Sequence, residues 1–345
     1  MNILAMVMAG GSGTRLHPLT ARHAKPALMF AGGYRIVDFV LGNLVNSGVS
    51  PIYVLAQYKP RSLVEHIHAA WAPWSTSRDP TIRVVLPESG DATLPYQGTA
   101  DAIYRNLHLI ERHAPDLVAV FAADNIYRMD VRQMATFHRQ CGAEVTIAAV
   151  RVPIAQASSY GVMTTGPGGE LQEFREKPGA PSPIPGDPGH AYASMGNYLF
   201  DPEVLVELLE RAHRNGGTDF GRDIMPLLPP RKCGWAYDFA TNEVPGMHPH
   251  EERGYWRDLG TIEAYRQAQR EVLGPRPRFN LVNPEWPIRR RGYPMPETAR
   301  YATREAELGR PVASGPFNPF GTRAGIAHPT GVAVLRTRFG VACAK

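Results

Sequence analysis

Cysteine is nearly absent from this chain. Three residues, Cys141, Cys233 and Cys343, stand far apart with no Cys-x-x-Cys spacing. That excludes a cysteine-held zinc cluster and a disulfide framework. No apolar stretch approaches the roughly 20 residues a membrane span needs. The chain enters its first apolar run at Ile3, with no charged lead and no small-residue cleavage site. These absences point to a cytoplasmic protein that makes no membrane contact. Acidic residues are missing from Val312 to Lys345. Residues 276–345 hold 12 Lys and Arg against 4 Asp and Glu, and the 275 before them hold 25 against 28. The net charge of +5 therefore belongs to the tail and gives no ground for a nucleic-acid partner. After Arg289 no period of 2 or 3.6 is sustained, so the tail is not patterned for a core.

What is present begins with a crossover. Ile3 to Ala9 is apolar throughout, as in a strand buried on both faces. Gly10, Gly11 and Gly13 follow, then Thr14 and Arg15, with Lys25 ten residues further on. Glycines let backbone N–H groups approach a bulky anion, and two fixed cations beside them suit a triphosphate. The Walker loop is excluded because Gly13-Thr14-Arg15 stands in place of its Gly-Lys-Ser/Thr ending, and the dinucleotide fingerprint because Leu16 replaces its last glycine. A plain Gly-rich turn is the alternative.

Apolar runs at 52–56, 81–86, 117–123 and 145–150 alternate with helical patterns at 36–45, 63–71, 98–112 and 129–140. This alternation predicts an α/β fold, a doubly wound, mostly parallel sheet of Rossmann-like type. Ligands of such sheets bind beyond the carboxyl ends of the strands, where Gly10–Arg15, Gln57 and Asp124 fall. From about 151 short strands alternate with turns, at 161–165, 171–176 and 191–200. Pro178–Pro188 reads as an exposed loop. Helices return at 202–212 and 219–228, a strand at 235–239, and a last helix at 261–272 with Thr261 as its N-cap.

Several side chains could carry chemistry. Asp124, at a strand end, and Asp258, ahead of the last helix, could share a divalent cation with phosphate oxygens; either could equally be a solvated group or a cap. Lys177 in Glu176-Lys177-Pro178 could hold a phosphate monoester, or form a surface ion pair. Ser194-Met195-Gly196 suits a sugar hydroxyl, or marks a bulge. Asp219-Phe220-Gly221 echoes the kinase triplet, but without the accompanying kinase motifs it reads as a helix opening. His248-Pro249-His250 reads as a solvated turn, and Trp71 and Trp74, near Arg78, as packing groups.

With these residues in view, the chain resembles the glucose-1-phosphate adenylyltransferases (ADP-glucose pyrophosphorylases) of bacterial glycogen synthesis. The resemblance rests on A-G-G-S-G-T-R-L (9–16), A-K-P-A (24–27), Y-R-I-V-D-F (34–39), Q-Y-K (57–59), Y-Q-G-T-A-D-A (96–102), D-N-I-Y-R-M-D (124–130), E-K-P (176–178), S-M-G-N-Y (194–198), D-F-G-R-D-I-M-P (219–226), Y-W-R-D-L-G-T (255–261) and W-P-I-R (286–289). It implies conversion of ATP and α-D-glucose 1-phosphate to ADP-glucose and pyrophosphate, with Mg²⁺ and in a homotetramer. It also implies roles. Arg15, Lys25 and Asp124 would be catalytic. Gly10, Gly11, Gly13, Thr14, Gln57, Gly98 and Thr99 would bind the nucleotide. Tyr96, Gly161, Glu176, Lys177 and Ser194 would seat the sugar phosphate, and Asp124 and Asp258 the metal.

The family's pattern is departed from in three places. Asn125 stands where it has histidine, and His17 where many relatives have an activator-contacting lysine. After a catalytic domain at 1–275, residues 276–345 replace a left-handed β-helix with a linker and a basic tail that reads as truncated or frameshifted. Loss of that domain predicts an exposed apolar surface at 262–290. The competing reading is a non-catalytic regulatory or degenerate subunit of the same family.

Overall fold

The computed structural model describes residues 1–71, 81–87, 95–228 and 234–288. The tail beyond 288, with its truncation or frameshift reading, and Trp74, Arg78, Cys233 and Cys343 lie outside the described residues. In chain order the strands and α-helices are β1 (Ile3–Met8), β2 (Met29–Phe30), β3 (Tyr34–Arg35), α1 (Val37–Asn46), β4 (Ile52–Leu55), α2 (Arg61–Ala70), β5 (Ile82–Val85), α3 (Thr99–Tyr104), α4 (His108–His113), β6 (Leu117–Ala122), β7 (Asn125–Tyr127), α5 (Val131–Gln140), β8 (Val145–Pro153), β9 (Gly161–Thr165), β10 (Leu171–Glu176), β11 (His190–Phe200), α6 (Pro202–Arg214), β12 (Gly234–Asp238), β13 (Trp256–Asp258) and α7 (Ile262–Glu271).

The unbroken apolar run of β1 is explained by two-sided burial. Ile3, Ala5 and Val7 enter one core and Leu4 and Met6 another, on opposite faces of the sheet. β6, β1, β4 and β5 lie side by side and parallel. Beyond β6 the sheet becomes mixed: β11 is antiparallel to β6, β8 and β9, β10 is antiparallel to β9, and β12 is parallel to β8. The alternation of strands and helices thus predicts the parallel half correctly. The short-strand texture after 151 builds the antiparallel half.

Two expected helices are less regular than their patterns. The stretch 98–112 splits into α3 and α4 where Asn106 donates its amide back to the Ala102 carbonyl. The stretch 219–228 is a π-turn followed by a 3₁₀ turn, with Asp219 accepting from the Arg222 N–H. Thr261 caps α7 as expected, accepting from the Ala264 N–H at 3.1 Å. The 178–188 loop is mostly exposed, and Ile184 anchors it.

Most of the expected apolar surface is covered over the described residues 262–288, with Leu273 exposed. Phe279, Leu281 and Ile288 are buried in one cluster with Phe30, Phe39 and α7's Tyr265, and Trp286 is buried as well. The aromatic face of the β2–β3 hairpin and α1 supplies the partner surface, so the chain stays on the body as far as Ile288. Asn46 donates to the Pro287 carbonyl at 2.9 Å and Trp286 Nε1 to Asn43 Oδ1 at 3.4 Å.

Gly42, in the middle of α1, permits this contact, because a Cβ there would lie 2.3 Å from the Ile288 carbonyl oxygen. In an open helix Gly→Ala gains up to about 1 kcal/mol. Here the clash with backbone, at roughly 1–3 kcal/mol or more, outweighs it. Gly42→Ala is expected to lower the urea midpoint, a net loss of about 1–2 kcal/mol; an unchanged or raised midpoint would show that 286–288 does not rest on α1.

Candidate active site

Three parallel strands end in register: Met8 pairs with Leu55 on one side and with Ala122 on the other. Gly10, Gln57 and Asp124 each follow such an end by two residues and so share one sheet edge. Between them opens a cleft of about 350 Å³, lined among others by Gly10, Gly11, Gly13, Thr14, Arg15, Lys25, Thr99 and Asp124. Gly13 turns the loop through a left-handed conformation (φ 62°) into the short helix Thr14–Leu16. Arg15 is exposed at the rim.

Lys25 lies deeper, 7% exposed. Its ammonium donates to Asp124 Oδ2 at 2.9 Å and to Asp258 Oδ1 at 3.1 Å. Burial disfavours this charge, but the two carboxylates outweigh burial and hold the Lys25 pKa above the ordinary lysine value. Asp258 reaches the site on a feature that no sequence pattern announces. β13 pairs antiparallel with β7, and Asp258 stands opposite Asn125. Both carboxylates remain partly open, at 39% and 30% side-chain exposure. Two hard oxygen donors converging on one cation, with room left on the cleft side, fit a magnesium-type ion that takes its other ligands from phosphate. Lys25 Nζ stands where that positive charge is needed.

The surroundings of Gln57 are equally fixed. Gln57 Nε2 donates to the Tyr96 carbonyl at 3.0 Å, leaving Oε1 buried without a partner, and the side chain's Cγ and Nε2 lie along Gly10. The expected Tyr96 contributes that carbonyl. Its hydroxyl is turned into the apolar layer, where it accepts from Asn106 at 3.1 Å. Gly98 allows close approach, because a Cβ there would be 2.2 Å from the Thr218 carbonyl oxygen. Thr99 Oγ1 accepts from the Phe220 N–H at 2.9 Å and donates to Asp219 Oδ2 at 3.3 Å.

Gly161, Glu176 and Lys177 form a second group. Glu176 pairs with Gly161 across β9–β10. Its carboxylate lies between Gly161 and Gly221, where added Cβ atoms would come within 2.9 and 2.6 Å of Oε2. Lys177 donates to Glu176 Oε1 at 2.5 Å. Lys177 also holds a left-handed backbone (φ 48°) just before Pro178, a conformation that non-glycine residues rarely keep without a local reason. Ser194 borders the bulge in β11, where the register shifts before Tyr198 and Gly196 takes φ 73°. Ser194 Oγ accepts from the Gly196 N–H and donates to Tyr198 OH at 3.3 Å. Burial pushes the Tyr198 phenol up to about 12, so it stays neutral.

Two connectors join these groups, and neither was a sequence candidate for that work. Tyr160 packs its ring on Trp256 at 5.7 Å, and its carbonyl accepts from the Lys177 N–H. Asn125, the departure from the family's histidine, is buried and donates to the Met195 carbonyl in the bulge at 3.2 Å. The sequence signals were an aromatic beside Gly161 and an amide beside Asp124, and neither type reveals its partner. The histidine pair at 248 and 250 is an exposed turn with stacked rings, as expected. Trp71 donates to Asp38 from the core. Among the described residues no helix is long and apolar enough to cross a membrane.

A glycine loop on a parallel sheet edge, backed by a lysine and two carboxylates from distant segments, suits an enzyme that works on a nucleoside triphosphate. Comparison with known proteins agrees. The nucleotidyl transferase family model matches residues 4–274. The chain is 49% identical over 295 residues to a glucose-1-phosphate adenylyltransferase of Thermodesulfovibrio yellowstonii, covering 85% of this chain and 72% of that protein. It is 47% identical over 298 residues to one from Thermus thermophilus, covering 84% and 71%. With glucose-1-phosphate adenylyltransferase 1 of Vibrio cholerae it shares 46% over 296 residues, covering 85% and 72%. The chain belongs to the nucleotidyl transferase family and, within it, to the glucose-1-phosphate adenylyltransferases.

The Asn125 contact makes a stability prediction. Asn125→Leu leaves the Met195 carbonyl buried and unpaired, at about 1–3 kcal/mol. Asn125→His keeps an N–H donor and is expected to retain most of the urea midpoint that the leucine variant loses. Equal loss in both variants would show that the donated hydrogen bond does not hold the bulge.

Proposed function

We propose that this chain transfers the adenylyl group of ATP to α-D-glucose 1-phosphate, releasing pyrophosphate and forming ADP-glucose for α-glucan synthesis in the cytoplasm. The observation that carries this reading is the Lys25–Asp124–Asp258 constellation at the mouth of the glycine loop, in a chain nearly half identical to enzymes of that name. A sugar-phosphate oxygen attacks the α-phosphorus in line as the bond to pyrophosphate breaks. Catalysis is then largely positioning and charge neutralisation.

In this reading the N–H groups of Gly10, Gly11, Gly13 and Thr14 cradle the triphosphate. Arg15 and Lys25 neutralise the departing pyrophosphate. Gln57 reads the adenine edge, and Gly98-Thr99 walls the base. Lys177 binds the sugar phosphate as a point charge. Tyr96, Gly161, Glu176 and Ser194 shape the sugar pocket. Asp124 and Asp258 hold Mg²⁺, which supplies charge neutralisation and orientation of the triphosphate when bound. Assembly as a homotetramer belongs to the same reading.

Pyrophosphate release by the purified chain with Mg²⁺ and glucose 1-phosphate is expected with ATP, and only weakly with UTP, GTP or dTTP. Asp124→Asn is expected to lower kcat by about a hundredfold or more. Lys177→Ala is expected to raise the KM for glucose 1-phosphate about ten- to a hundredfold. A folded, ATP-binding chain without turnover would favour the non-catalytic subunit, and unchanged kinetics in either variant would remove that residue from the site.

A further inference from the structure

Lys59 lies outside the cleft lining, yet its geometry ties two parts of the site together. It follows Gln57-Tyr58 at the end of β4 and holds a left-handed backbone (φ 45°). Lysine is disfavoured there and glycine is not, so the position keeps a side chain at a conformational cost. That side chain reaches the segment following the glycine loop. Lys59 Nζ donates to the Thr20 carbonyl at 2.7 Å and to the Ala21 carbonyl at 3.0 Å. These carbonyls close the short helix Leu19–Ala21, where an ammonium satisfies acceptors that the helix cannot. Thr20 is 2% exposed. Its Oγ1 donates to the Gly13 carbonyl at 2.8 Å, and its methyl group sits where a Cβ on Gly13 would come within 2.9 Å. A continuous path of hydrogen bonds therefore runs from Lys59 through Thr20 to the residue that turns the glycine loop.

We infer that Lys59 is a positioning residue that fastens the phosphate-binding loop to the base-reading edge, setting the separation between Gly13 and Gln57. The inference rests on the reading of that cleft as the ATP site. Lys59 acts on the nucleotide alone. Of the groups assigned to the sugar phosphate, Gly161, Glu176, Lys177 and Ser194 lie on or directly after β9, β10 and β11, which its contacts do not reach, and Tyr96 meets the base-reading edge through its backbone carbonyl.

Three variants test it. Lys59→Met keeps the aliphatic stem and removes the donors. Lys59→Gly removes the donors and relaxes the backbone. Lys59→Arg restores a cation. In the first two, the KM for ATP is expected to rise about five- to twentyfold, with the KM for glucose 1-phosphate at saturating ATP within about twofold. Amide hydrogen exchange at 13–22 is expected to speed up in both, and Lys59→Arg to recover most of each loss. An ATP KM within about twofold of the parent in Lys59→Met and Lys59→Gly, or both KM values rising together, would overturn the inference. The exchange measurement needs no substrate. If the parent chain does not turn over ATP, the functional reading has failed and exchange alone decides: faster exchange at 13–22 in Lys59→Met and Lys59→Gly sustains the fastening role, and unchanged exchange ends it.

Discussion

One ammonium organises this molecule. Lys25 touches carboxylates 99 and 233 residues away, and its burial would be unfavourable without them. The loop after β1, the end of β6 and the β13 ribbon therefore hold one another in place through this shared charge. The same balance shapes the chemistry. Two carboxylates without Lys25 would repel each other across the cleft. With it they are held side by side, and in the proposed reading they would hold the metal ion beside the triphosphate. The site thus assembles its charges before any substrate arrives, which is how a transfer reaction avoids reorganising its surroundings at the moment of bond exchange.

Around that centre, close backbone approach does what charge does at the middle. Glu176 fits only because positions 161 and 221 carry no Cβ, and the turn at Gly98 meets the Thr218 carbonyl for the same reason. Asp219 and Thr99 clasp across this contact. Phe220 stacks on Tyr198, which accepts from Ser194. The Asp219-Phe220-Gly221 triplet is therefore more than a helix opening. It brings the Gly98-Thr99 turn, the Glu176 carboxylate and the β11 bulge into one body, so the walls that the proposed reading gives to base and sugar are held by shared side chains.

The difference between what the sequence reveals and what it conceals has a physical cause. β1, β4 and β6 are legible because burial on both faces of a parallel sheet demands unbroken apolar runs, and their common edge follows from topology alone. The glycine loop is legible because its residue types are restrictive, and Thr261 because a cap side chain acts within three residues. Three-residue strands such as β7 and β13 carry no period, so nothing local pairs Asp258 with Asn125. Asn125 and Lys59 have partners 70 and 38–39 residues away, and an amide or a lysine in isolation names no acceptor. The burial of 279–288 was hidden for a related reason. Its apolar residues are irregularly spaced, because they fill gaps on a surface already shaped by α1 and the β2–β3 hairpin.

That last segment also explains how so short a ribbon as β7–β13 can hold Asp124 and Asp258. Arg128, one residue beyond β7, is buried and pairs with Glu251 at 3.2 Å, donates to the Asn280 carbonyl and lies 4.4 Å over the Phe279 ring. Burial pulls the Arg128 pKa down and Glu251 opposes it. A buried pair of this kind adds little net stability over apolar residues of the same size, but an arrangement that separates its members is heavily penalised. On the same strand, Asn43 donates to the Tyr127 carbonyl and accepts from the Met129 N–H, so α1 also grips the end of β7. Three ladder pairs would not by themselves fix two carboxylates. Braced by α1 and by 279–281, the ribbon holds a register that places both carboxylates within reach of Lys25.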